Sequence, residues 1–120
     1  MSAAVDPAEP WKLSVADAVL DADELDPTTV LAGDPATSSK ELWTSHDGTV
    51  QHGIWQLTPG TVTDVEADEL FVVLSGSATI AFEDGPVLEV GPGDVVKLPE
   101  GARTVWTVHE TLRKIYAIVS

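Results

Sequence analysis

An all-β sandwich or barrel is predicted by three features of this 120-residue sequence. Short runs rich in Val, Ile, Thr, Phe and Trp recur along it, turn-forming residues separate them, and the clearest run alternates with period two. That run, Ser77-Ala78-Thr79-Ile80-Ala81-Phe82-Glu83, places Ala78, Ile80 and Phe82 on one face. One real core fits in a chain of this length, so a single domain is expected.

The first segment, Met1 to Asp26, holds seven acidic residues and Lys12 as its only base. Ser14 three residues before Asp17 reads as a helix cap, and Val15, Ala18, Val19, Ala22 and Leu25 form a possible apolar stripe. Because the run is short, residues 1–27 are read as an N-terminal arm, either extended or briefly helical. Residues 28–120 are read as the barrel. Its strands are expected around Val50–Leu57, 70–74, 77–83, Val95–Leu98, 103–108 and 112–119. Gly33-Asp34-Pro35, His46-Asp47-Gly48, Pro59-Gly60, Glu83-Asp84-Gly85-Pro86, Gly91-Pro92-Gly93-Asp94 and Pro99-Glu100-Gly101 supply the turns. Residues 70–74 are apolar at every position, so that strand calls for cover on both faces.

Composition narrows the function. Apolar residues make up 43% and charged residues 22%, a globular balance. Cysteine is absent, which removes disulfides, thiolate metal sites and thiol nucleophiles, and fits a reducing, cytoplasmic setting. No signal peptide and no membrane-spanning run is read. The net charge of −14 would repel both a phosphate backbone and an anionic membrane, so neither nucleic acid nor membrane is an expected partner. The charge is uneven. Residues 1–90 carry 17 acids and 2 bases, whereas residues 91–120 carry 3 acids and 4 bases: Lys97, Arg103, Arg113 and Lys114. That basic end suggests a site for a small carboxylate-bearing molecule.

Two spacings resemble the cupin superfamily. Gly60, Glu69 and Gly76 look like the second half of its first motif, and Gly93-Asp94 followed by Pro99-Glu100-Gly101 looks like the start of its second. With Val30-Leu31-Ala32-Gly33-Asp34-Pro35, Gly53-Ile54-Trp55-Gln56-Leu57, Trp106 and Arg113-Lys114-Ile115-Tyr116, the chain resembles the small single-domain cupins related to (S)-ureidoglycine aminohydrolase. The resemblance implies a cupin-type jelly-roll barrel, a homodimer and a small-molecule pocket in the barrel mouth. Metal-binding cupins carry two histidines before the glutamate and one in the second motif. Here the corresponding positions are Thr63 and Val65, or Val62 and Asp64, and then Thr104. Of the usual four ligands only Glu69 remains, and no metal or other cofactor is expected.

Several residues then stand out. Glu69 suits a general acid or base, or alternatively a structural carboxylate paired with a barrel lysine. Trp55, Phe71, Thr104 and Trp106 are candidate ligand-binding residues, since the motif register turns Glu69, Phe71, Thr104 and Trp106 inward. The two tryptophans would equally serve as filling for a small barrel. Lys114 and Tyr116 share a strand face and offer catalytic proton carriers beside Glu69; the alternative is a surface lysine and a buried tyrosine. His46, His52 and His109 match no ligand position. Ser75-Gly76-Ser77 lacks the surroundings of a nucleophile elbow, and Gly91-Pro92-Gly93 is a turn rather than a phosphate cradle. The leading expectation is a metal-free cupin that binds or converts a small polar molecule. A metal-dependent enzyme and a non-catalytic structural domain are the alternatives.

Overall fold

The computed structural model describes residues 9–120. Nine strands form one curled antiparallel sheet of jelly-roll type: β1 (Asp21–Asp23), β2 (Val30–Gly33), β3 (Thr37–Thr44), β4 (Val50–Leu57), β5 (Gly60–Val65), β6 (Asp68–Phe82), β7 (Val87–Val90), β8 (Val95–Leu98) and β9 (Arg103–Val119). A single 3-10 turn, Pro27–Thr29, precedes β2 and is capped by Asp26, whose carboxylate accepts from the Thr28 backbone N–H and hydroxyl.

The two long strands organise everything else. The first half of β9 lies between β5 and the end of β6, and its second half lies between β4 and the start of β6. Except at the exposed Glu110, the even-numbered residues of β9 face inward, and Thr104, Trp106, Val108, Leu112 and Lys114 are buried. On β6 the inward parity changes. Glu69, Phe71 and Val73 are buried before the irregular stretch at Ser75–Ser77, and Ala78 and Ile80 after it. Gly76 sits at this change with φ of 87°, and a Cβ there would run into the Thr111 carbonyl of β9. Only glycine accommodates both demands.

The core gathers Leu57, Val62, Phe71, Val73, Ile80, Leu98, Trp106 and Leu112 between the curled faces. Outward on β6, Leu70 and Leu74 remain 46% and 39% exposed. Of the cover expected on both faces of residues 70–74, the described residues complete the inner face and leave Leu70 and Leu74 partly open on the outer one.

The helix start read at Ser14 forms a turn instead, closed by the Asp17 N–H on the Ser14 carbonyl. The reason lies across the fold. Arg113 reaches out from β9 and donates through Nη1 to the carbonyls of Val15, Ala16 and Ala18, at 2.8, 3.2 and 3.0 Å. A continuing helix would need those carbonyls for its own ladder. No helix among the described residues is long and apolar enough to cross a membrane.

Candidate functional site

A cavity of about 430 Å³ opens between the inner faces of β3, β4, β5, β6 and β9, with the segment around β1 and the 3-10 turn forming its lip. Cross-strand register aims its walls. Trp55 on β4 stands opposite Lys114 on β9, and Val62 and Asp64 on β5 stand opposite Trp106 and Thr104. Residues paired in this way point to the same face of the sheet.

At the base sits a buried ion pair. Lys114 Nζ donates to Glu69 Oε2 at 2.6 Å, and the two side chains are only 7% and 8% exposed. The ammonium also lies 4.3 Å from the Phe71 ring centroid, 4.5 Å from Trp55 and 4.9 Å from Trp106. Trp106 packs edge-on against Trp55 and tilted against Phe71, both at 5.7 Å, so the three rings brace one another around the charge. Cation–π attraction strengthens when water is excluded, reaching about 2 kcal/mol. The surface-lysine alternative for Lys114 is therefore excluded, and both tryptophans act as wall and as filling.

Tyr116 is half-buried on the next inward position of β9. Burial, followed by the charges of Glu69, Glu41 and Asp23, raises its phenol above the ordinary value. Its ring crosses Gly53, directly opposite on β4, where a Cβ would collide with the phenol. Gly53 thus fixes where the hydroxyl can lie.

The mouth contains a group that the sequence reading left aside. Glu66, just past β5, is buried, and its Oε2 accepts from Thr104 Oγ1 at 2.6 Å and from Trp106 Nε1 at 2.9 Å. Thr104 therefore serves the cavity by holding Glu66 rather than by lining the space itself. Asp64 keeps more surface than Glu66 and lines the cavity rim. Its carboxyl is pushed up to about 6, chiefly by burial, then by the charge and hydrogen bond of Glu66, with the Val65 backbone and then Lys114 pulling the other way. The signal that would have found Glu66 is the period-two series Val62, Asp64, Glu66, which runs one residue beyond the strand's last pair. Asp23, Glu24 and Asp26 of the lip were not predicted either, because only the folded arm brings them here.

The basic end of the chain does not converge on one pocket, contrary to expectation. Lys97 pairs with Asp68 on the surface, Arg113 clasps the arm and Gln56, and Arg103 lines an adjoining cavity with Glu83. Only Lys114 enters the main cavity, where Glu69 neutralises it. Six carboxylates, from Asp23, Glu24, Asp26, Asp64, Glu66 and Glu69, face that single ammonium. The field inside is negative, against the expected preference for a carboxylate-bearing ligand.

The metal of histidine-bearing cupins does not fit these residues. Val62 has no donor, the Thr104 hydroxyl is committed to Glu66, and Glu69 is committed to Lys114. Among the described residues, no group of three His, Cys, Asp or Glu side chains is placed to hold an ion. The histidines lie elsewhere, all exposed: His52 stacks on Trp43, His109 meets the Thr79 hydroxyl, and His46 sits in a turn.

Comparison with known proteins agrees with this architecture. No curated protein matches the sequence. A protein of unknown function from Pseudomonas syringae pv. tomato, of the DUF861 family, is 28% identical with a TM-score of 0.78, covering 89% of this chain and 46% of its own. This chain therefore spans less than half the length of that relative. A DUF861 family protein from Thermotoga maritima is 30% identical over 54% of this chain and 75% of its own, with a TM-score of 0.52. The EutQ protein of Clostridium difficile shares the fold at 22% identity and a TM-score of 0.62, covering 71% of this chain and 63% of its own. Residues 44–116 match the EutQ-like cupin domain, and the chain belongs to that family of the cupin superfamily.

Proposed function

We propose that this chain is a metal-free, small-molecule-binding cupin whose pocket takes a small polar molecule bearing a basic nitrogen. One observation carries the reading: six carboxylates and a tryptophan wall surround a cavity whose sole ammonium is already paired. A carboxylate entering there meets repulsion from Asp64, Glu66 and the lip, with no free cation to receive it. An ammonium or amidinium meets acceptors on one side and the face of Trp55 on the other. The metal-dependent alternative lacks donors, and a cavity of about 430 Å³ argues against a barrel that is merely filled. A cytoplasmic setting and a homodimer belong to the same proposal.

A thermal-shift screen over matched pairs, such as propylammonium against propionate and guanidinium against acetate, tests the ligand class. The melting temperature is expected to rise with the cations and to stay unchanged with the carboxylates. Stabilisation by the carboxylates alone would overturn the reading.

A further inference from the structure

Period two turns Arg113 of β9 outward, between the buried Leu112 and Lys114. Cross-strand register puts it in one row with Gln56 of β4, Ser38 of β3 and Ala22 of β1. Its guanidinium satisfies four acceptors at once. Nε donates to Gln56 Oε1 at 3.0 Å, and Nη1 donates to the carbonyls of Val15, Ala16 and Ala18. The permanent charge strengthens these bonds, and the rigid fork sets where the arm crosses the sheet. Trp11 marks the same crossing, since it lines a groove with Val72 and Ile115 of the outer face.

Beyond the clasp the arm rounds the free edge of the sheet and pairs with β3 as β1. Three exposed residues on an edge make a weak strand by themselves. At its end Asp23 and Glu24 line the inner cavity, whereas Leu25 packs on the core and Asp26 caps the 3-10 turn. The mouth is thus anchored by the core on one side and through β1 on the other.

We propose that Arg113 is the positioning residue of the pocket mouth: its clasp on residues 15–18 fixes β1 against β3 and so holds Asp23 and Glu24 over the cavity. Arg113 is not among the residues lining that cavity, and it acts through the arm. Release of the clasp leaves Leu25 and Asp26 in place and opens the mouth on the β1 side. Two of the six carboxylates around the cavity then move away, and its pull on a cation weakens. For the ligand, the inference rests on the reading above that the pocket takes a basic nitrogen; the clasp itself does not.

Hydrogen exchange of the intact chain tests the clasp without any ligand. In Arg113→Ala, the amides that pair β1 with β3 are expected to exchange faster, while those pairing β4, β6 and β9 keep wild-type rates. Gln56→Leu removes the acceptor that aligns the guanidinium and is expected to move the same amides in the same direction, by less. Unchanged β1 rates in both variants, or faster exchange throughout the barrel, overturn the proposal. Calorimetry with propylammonium then tests the mouth. Affinity in Arg113→Ala is expected to fall roughly fivefold, as a mouth complete about a fifth of the time requires. Loss of a positive charge would by itself draw a cation more strongly, so a fall reports the opened mouth rather than the altered charge. Affinity that is unchanged or higher, with β1 freed, overturns the role at the mouth. A wild type that binds no propylammonium, with β1 freed in the variant, overturns the amine reading and supports the clasp.

Discussion

Lys114 is the residue on which the site turns. Its ammonium is taken out of water, compensated by Glu69 and enclosed by three rings, so removing either partner strands the other's charge. Lys114→Met is therefore expected to destabilise the protein by about 3 kcal/mol, because Glu69 is left buried and unpaired. Glu69→Gln combined with Lys114→Met should recover most of that loss, since both charges go together. Urea unfolding of the two single variants and the double variant measures the coupling; additive losses would show that the pair does not act as a unit. Glu69, Phe71 and Trp106 were legible in the sequence because motif spacing and period two fix their facing. Lys114 was harder, since a lysine on an alternating strand reads as surface until its partner across the sheet is known. Glu66 was harder still: it lies past the last paired residue of β5, and its donors arrive from β9, about forty positions away in the chain.

At the scale of elements, turn chemistry separated the short strands well, and Val50–Leu57 and Val95–Leu98 form as the sequence predicts. The two long strands were read as four because each changes partner or parity midway. Gly76 carries the change on β6, and β9 passes from β5 to β4 between Val108 and Leu112. Of the two forms open to the arm, the helical one at Ser14 gives way where Arg113 takes its carbonyls, a contact spanning nearly the whole chain that no local pattern contains. The outward side of β6 leads to a prediction about assembly. Leu70 and Leu74 are exposed, and Leu70 shares an apolar groove with Trp11, Val72 and Ile115. Burying this face in a homodimer removes it from water. Light scattering is expected to give a dimer for the wild type and a monomer for Leu70→Glu; a wild type that stays monomeric at high concentration contradicts the assembly.

Over the whole molecule, the net charge of −14 and the acidic lip act in the same direction. A small cation is drawn toward the mouth and a small anion is turned away, more strongly at low salt. The basic C-terminal quarter, which in sequence suggested the opposite preference, is spent on the arm, a surface pair, the adjoining cavity and Glu69. The fixed cation at the barrel's centre is therefore a lysine ammonium, closed on the one carboxylate that the cupin motif retains. Elemental analysis of protein purified without chelator tests that claim most directly. The expected result is no stoichiometric Zn, Mn or Fe, in the wild type or after Glu69→Ala. A full equivalent of any of these metals per chain, lost on Glu69→Ala, would contradict it.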